Sequence, residues 1–231
     1  MDLTFLGTGA AFNPAMDNSN ACFSQNGEFF LLDCGESTFG RIWDLPELLS
    51  ATRISVVVTH LHCDHVGSLG SLVSYCRYVL DKPIRIVHPL DTVVQLLDLM
   101  GIERSNYEYQ PLYPQHDGIS FEPIEVEHVE NMRCFGYIVT TGDTRFYYSG
   151  DSTSIPNTVL QQFLENKIER IYQDTSLHAS DHPTHGTLEE LERLFVKSER
   201  NRVFCIHLDS DFRSVLKEKG FGLVPLLPKS V

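Results

Sequence analysis

The chain has 231 residues, a hydrophobic fraction of 42% and a formal net charge of −13. That length suits one domain, or two similar halves around a shared core, with enough apolar material to fill it, which excludes a disordered or fibrous chain. The negative balance repels polyanions in general and excludes a non-specific nucleic-acid coat protein, although a locally positive site could still bind one phosphate.

The amino terminus, MDLTFLGTGAAF, opens directly on a strand pattern. It has no basic region followed by a long apolar run and no small-residue cleavage site, so no signal peptide is expected. Residues 2–6, 20–25 and 28–33 are predicted to form short strands, the last two joined by an Asn26-Gly27 hairpin, so that the chain begins as a β-meander. Residues 37–49 read as helical but interrupted by Pro46, and ISVVV at 54–58 as a buried strand running into a cluster of histidines. A helix over 67–80, a strand over 84–88 and a helix over 91–100 follow, a β-α-β-α alternation.

The aromatic, proline-punctuated segment YEYQPLYP at 107–114 reads as a loop or an irregular edge. Strands are predicted over 119–127, 134–141 and 144–149, with Gly142-Asp143 as a hairpin turn. Then come a helix over 157–166, a strand over 169–173, a helix over 187–198 capped by Thr187 with Glu190 three residues on, and a strand over 203–207. A short helix and a last strand complete the chain. This order predicts an α/β protein, an αβ/βα four-layer sandwich of two mixed sheets with helices outside, formed by residues 1–231 as a single domain. Internal repeats and low-complexity segments are not apparent.

No window approaches the length of a membrane span, since SLVSYCRYVL is broken by polar and basic side chains. The six cysteines are scattered, without a CxxC pair and mostly inside apolar runs, which fits reduced thiols in a soluble, cytoplasmic protein.

Chemistry concentrates in VVVTHLHCDHVGSL at 56–69, where a strand delivers His60, His62, Asp64 and His65 into one short loop. Neutral imidazoles and a carboxylate suit zinc and related divalent ions, and the alternate spacing lets His60 and His62 point the same way. Without a cation, four such groups in six residues would repel one another. Cys63 sits within this run, at a position read as variable. His88 and His116 are read as ordinary packing histidines.

The segment HLHCDH after an apolar strand resembles the HxHxDH signature of the metallo-β-lactamase superfamily, and the likeness extends over nearly the whole chain. The resemblance implies further roles, each after a predicted strand. Asp33 in LLDCGES corresponds to an acidic residue that orients the metal loop. His128 in VEHVENMRCFGYIV is implied as the third metal-ligand motif, Asp151 in YYSGDST as a bridging carboxylate, and His207 in VFCIHLDSD as the last histidine. One ion would then be held by His60, His62 and His128, the other by Asp64, His65 and His207, with Asp151 shared. Two-metal hydrolases hold their ions about 3.5–4 Å apart. Zinc is expected, and manganese or iron would suit the same donors. Asp64 could be ligand, base or both.

Within the superfamily, FLGTGAA, DCGE, FGYIV and SGD resemble the ribonuclease Z branch of phosphodiesterases. So do Asp174 in YQDTSL and His185 in HPTHGT, implied to act beside the scissile phosphate. A carboxylate bonded to an imidazole raises its basicity and fixes its tautomer, so His185 could protonate a leaving oxygen or stabilise phosphate charge. His178 and His182 are read as surface-loop residues. Ribonuclease Z carries a long arm between the third and fourth metal motifs that grips transfer RNA, whereas only a hairpin separates His128 from Asp151 here. In size and motifs the chain is similar to the anti-Pycsar proteins, armless relatives from phages and bacteria that hydrolyse 3′,5′-cyclic nucleotides.

That resemblance implies a homodimeric phosphodiesterase acting on a small phosphodiester such as a cyclic mononucleotide, with extended nucleic acid disfavoured. Tyr107, Tyr109 and Tyr113 are candidates for a base-binding wall, from the same or a second subunit, or pack ordinarily under an irregular loop. Three alternatives stand beside this reading: a transfer-RNA 3′-processing nuclease aided by a partner chain, a hydrolase of thioesters, lactones or β-lactams, and a non-catalytic metal-binding sensor.

Overall fold

The computed structural model of the chain describes residues 3–116, 118–181 and 183–228. Strands β1 (Thr4–Phe5), β2 (Ala21–Gln25) and β3 (Glu28–Leu32) run antiparallel in sequence order, as the meander predicts. The β2–β3 turn places Asn26 at φ 52° and Gly27 at φ 77°, a pair of left-handed residues whose twist matches that of the flanking strands. Two short helices follow, α1 (Thr38–Ile42) and α2 (Pro46–Ser50), with Pro46 at the start of α2, where its missing N–H has no helical partner to lose. Strand β4 (Arg53–Val57) then lies parallel to β3.

The helix predicted over 67–80 is divided. A single turn, α3 (Cys63–Val66), precedes α4 (Leu69–Tyr75), and Cys76–Leu80 continues as a wider π-type turn that stops at the left-handed Asp81. Strand β5 (Ile84–Val87), helix α5 (Thr92–Leu99) and strand β6 (Glu108–Gln110) complete the first half. Three residues of the aromatic segment thus form a strand, parallel to β5 at the sheet edge and halted where Pro111 begins a run without regular pairing. The first sheet has the order β1-β2-β3-β4-β5-β6.

The second sheet is built from β7 (Ile119–Val126), β8 (Cys134–Thr141), β9 (Thr144–Tyr148), β10 (Arg170–Asp174) and β11 (Val203–Ile206), in the order β11-β10-β9-β8-β7. Its first three strands are antiparallel, and β9, β10 and β11 are parallel. The predicted β8–β9 turn has Gly142 at φ 59°. Helices α6 (Asn157–Leu164), α7 (Leu188–Leu194) and α8 (Arg213–Lys219) connect or follow these strands. The α7 cap is as expected, with the Thr187 hydroxyl accepting from the Glu190 N–H. Among the described residues, the last predicted strand does not form. Residues 225–227 instead make two backbone bonds to Phe5, and Pro225 and Pro228 remove donors that a longer ladder would need.

Strand parity sorts the core into three layers. Leu31, Val56 and Ile86 face outward beneath α1, α2, α4 and α5, while their neighbours Phe30, Leu32, Val57 and Val87 face inward. There they meet Phe121, Tyr137, Val139, Phe146 and Tyr172 of the other sheet. On its far face, that sheet packs Tyr147, Ile171 and Val203 against Val159 and Phe163 of α6, Leu191 of α7 and Leu216 of α8. The result is the four-layer α/β/β/α sandwich that the alternation predicts. Among the described residues, no helix is long and apolar enough to cross a membrane.

Candidate metal centre

Seven imidazoles and carboxylates converge where strands of both sheets end. Three residues beyond β4 stands His60, and the turn α3 then turns Asp64 and His65 inward. His128 lies two residues past β7, Asp151 three past β9, and His207 directly past β11. Their donor atoms form two groups that share Asp151. In the first, His60 Nε2 is 3.0 Å from His62 Nδ1, which is 3.3 Å from His128 Nε2. Asp151 Oδ2 lies 3.7 Å from His60 and 3.6 Å from His128. In the second, His65 Nε2 is 3.2 Å from Asp64 Oδ2 and 3.1 Å from Asp151 Oδ1. His207 Nε2 is 3.0 Å from Asp64 Oδ2 and 3.4 Å from Asp151 Oδ1.

These donors fit divalent cations. Metal–nitrogen bonds of about 2.0–2.1 Å in a tetrahedral arrangement separate neighbouring ligands by roughly 3.3 Å, the scale of the gaps seen here. Three imidazole nitrogens meeting at 3.0–3.3 Å cannot all be satisfied by one another. His65 Nε2 and Asp151 Oδ1 are buried without a hydrogen-bond partner, although each lies beside an oppositely charged group. Each oxygen of Asp151 addresses a different group, the arrangement of a bridging carboxylate.

Electrostatics divides the donors. Burial, reinforced by the nearby His65, holds His60 well below the ordinary histidine pKa. Burial also disfavours charge on His207, but Asp151 and Asp174 overcome it and push that pKa up to about 10. The same contest leaves His65 well above its usual value, under Asp151, Asp33 and Asp64. Cations at the two groups would take over the neutralisation that protons on His65 and His207 otherwise supply.

The surrounding polar residues explain why the donors face inward. Asp33, fully buried and at φ 63°, accepts from the Thr59 N–H at 2.7 Å and the Thr59 hydroxyl at 2.9 Å. It also pairs at 2.8 Å with His65 Nδ1, which leaves His65 Nε2 for the centre. His128 Nδ1 donates to the Thr184 carbonyl at 2.7 Å with the same consequence. Asn20 ties the two segments together, accepting from the Gly35 N–H at 2.6 Å and donating to the Asp64 carbonyl at 3.2 Å. Gly35 is required because a Cβ there would stand 1.9 Å from the Asp64 carbonyl oxygen. Gly35→Ala is expected to destabilise the fold by about 1–3 kcal/mol, as overpacking does. It should also lower bound metal, and thermal melting with elemental analysis checks both effects.

Asp174, at the end of β10, joins the centre to His185. Its Oδ2 pairs at 2.6 Å with His185 Nδ1 and accepts from the Ser152 N–H at 3.0 Å, while Oδ1 lies 3.4 Å from His207 Nδ1. The His185 ring stacks on His207 at 4.9 Å between centroids and keeps 28% of its side chain exposed. Burial opposes charge on His185, but the bond to Asp174 raises its pKa above the ordinary value. The arrangement is a partly exposed imidazole, paired with a buried carboxylate, held at the mouth of a cluster of metal-type ligands.

The remaining expectations divide. Cys63 is exposed and belongs to none of the clusters found among the described residues. His88 is buried, with Nδ1 on the Val58 carbonyl at 3.0 Å. His178 is exposed, and His182 lies outside the described residues. The structure does not bring the three tyrosines to the centre as a wall within one chain. Tyr113 is buried among Phe30 and Phe121, its hydroxyl 3.1 Å from Glu28 and 2.7 Å from His116. Glu28 opens β3, at the end of the sheet away from His60, and also bonds Ser55 and faces Arg85. Tyr107 packs against the first sheet's outer core, and Tyr109 donates to the His88 carbonyl. Their aromatic surface is used for packing.

Sequence reasoning missed Asn20, Thr59, Ser152 and the Thr184 carbonyl. Thr59 adjoins the histidine run and could have been suspected. The others act through backbone groups or across long stretches of chain, as Asn20 reaches Asp64 over a separation of 44 residues.

Comparison with known proteins bears on the family and the fold. The family model described as "Anti-Pycsar protein Apyc1" matches residues 1–224. The anti-Pycsar protein Apyc1 of Bacillus phage vB_BsuM-Goe3 is 24% identical over 245 aligned positions, covering 94% of this chain and 93% of the relative. A ribonuclease Z of Methanococcus maripaludis is 32% identical over 173 positions, covering 73% of this chain but 54% of that protein. Among solved structures, the metallo-β-lactamase fold protein YhfI of Bacillus subtilis superposes with a TM-score of 0.71 at 17% identity, over 99% of this chain and 97% of that one. The fold is therefore the metallo-β-lactamase fold.

Proposed function

The chain belongs to the anti-Pycsar protein Apyc1 family, and from that premise we propose that it is a dinuclear metal-dependent phosphodiesterase of small substrates, 3′,5′-cyclic mononucleotides above all. The observation that carries the reading is the 2.6 Å pair of Asp174 and His185 set against the ligand cluster. A ribose alkoxide is a poor leaving group and needs a proton as it departs. A thiolate released from a thioester needs none, so the pair favours a phosphodiester over that alternative.

In this reading His60, His62 and His128 would hold one ion, Asp64, His65 and His207 the other, and Asp151 would serve both. Divalent ions, zinc in the first instance, would supply charge neutralisation at the non-bridging phosphate oxygens and acidify a water. Asp33 and Thr59 keep His65 and His60 turned inward. Asp174 holds Nδ1 of His185, leaving the other ring nitrogen to deliver a proton to the departing oxygen. Substrate size follows from the short excursion between His128 and Asp151. It is the β8–β9 hairpin, with two residues in its turn, and it extends no arm over the site. With a net charge of −13, the chain offers little to a long phosphate backbone.

The test is a panel of 3′,5′-cyclic nucleotides, a precursor transfer RNA and a set of carbonyl esters, with metal-loaded and chelator-treated protein whose mass is measured by light scattering. Opening of cyclic nucleotides by a dimer, lost on chelation, is expected. Cleavage of the RNA or the esters without turnover of cyclic nucleotides would refute the substrate, and a monomer would refute the homodimer that the family resemblance implies.

A further inference from the structure

The segment that carries His128 lines a cleft of about 530 Å³ beside the candidate metal centre, together with Thr153 and Pro183. Its size is that of a small-molecule site. His128 belongs to both places, lining the cleft while its Nε2 lies among the donors. Val129, Met132 and Pro183 give the cleft apolar surface suited to the face of a planar ring. Its charges do not balance. Glu125 and Arg133 cancel through paired bonds of 2.7 Å each. Glu127 and Glu130 are exposed, and no cation or side-chain donor among the described residues engages either.

We infer that this cleft receives the nucleoside portion of the substrate, and that Glu127 and Glu130 select a diester bearing a single negative charge. This rests on the phosphodiesterase reading and deepens it. A carboxylate can accept hydrogen bonds from the N–H groups of a base, and it repels a second phosphate carried on the same molecule. Like charges about 7 Å apart at a protein surface cost on the order of tenfold in affinity for each pair. The filter therefore acts at the site itself, in addition to the repulsion of polyanions by the chain as a whole.

The test compares the wild type with the Glu127→Gln/Glu130→Gln and Glu127→Lys/Glu130→Lys double variants. The substrates are a 3′,5′-cyclic nucleotide and a dinucleotide carrying a 5′-phosphate. Both rates are normalised to bis(p-nitrophenyl) phosphate, which has neither a base nor a second phosphate. The preference in kcat/KM for the cyclic nucleotide over the phosphorylated dinucleotide is expected to fall about tenfold or more in the lysine variant, and by less in the glutamine variant. Equilibrium dialysis supplies a readout without turnover, since the wild type should prefer a nucleoside monophosphate to its diphosphate and the lysine variant should not. An unchanged preference, with bis(p-nitrophenyl) phosphate still hydrolysed, overturns the filter alone. A wild type that hydrolyses none of the three overturns the phosphodiesterase reading, and the filter with it.

Discussion

Asp151→Ala is expected to reduce phosphodiesterase activity by about a thousandfold or more, because the charge stabilisation that a metal centre provides is worth several kcal/mol and each 1.36 kcal/mol is a factor of ten. Among the described residues, this carboxylate is the one side chain whose two oxygens face both donor groups, Oδ2 toward His60 and His128 and Oδ1 toward His65 and His207. Without it each group keeps three donors, and His60, His65, His128 and His207 lose a negative charge that they share. Elemental analysis should therefore show bound metal falling below that of the wild type together with activity. Asp151→Asn retains one carbonyl oxygen and should hold more metal than the alanine variant. If Asp151→Ala keeps the wild-type metal content and activity within tenfold, Asp151 does not bridge the ions.

How much of this centre can be read from the sequence depends on how far its parts lie apart along the chain. His60, His62, Asp64 and His65 are legible because a buried strand and one helical turn suffice to bring them together. His128, Asp151 and His207 are legible only through motif resemblance, since their meeting requires the two sheets to stack. The hairpins were legible because Asn26-Gly27 and Gly142 meet a local backbone demand. The tail was not, because its pairing with Phe5 is decided by tertiary contact and limited by two prolines. The tyrosines at 107, 109 and 113 show the same limit from the other side. An aromatic, proline-rich segment resembles a ligand wall as readily as an edge that packs. What decides for Tyr113 is the buried Glu28, 85 residues away, which accepts its hydroxyl. Asn20 could not be recognised from its neighbours, because the groups it joins are Gly35 and the Asp64 carbonyl.

The second large effect is expected at His185. General acid catalysis contributes about 10²–10⁴ in rate, and His185→Ala should lose that factor on a 3′,5′-cyclic nucleotide while retaining bound metal. The substrate then becomes the discriminator. Bis(p-nitrophenyl) phosphate releases a stable phenolate that needs no proton, so the same variant should lose less than about tenfold on it. Asp174→Asn tests the pair from the other side. The bond to Asp174 raises the His185 pKa against the opposing effect of burial, so removing the carboxylate charge should lower it. An acid catalyst fails as pH rises through its pKa, and the alkaline fall in kcat should therefore move to lower pH in Asp174→Asn. Because Asp174 Oδ1 also lies 3.4 Å from His207 Nδ1, this variant, unlike His185→Ala, should bind metal more weakly. Equal losses on both substrates in His185→Ala would remove proton donation from its role and leave it the part of stabilising phosphate charge, which both substrates share.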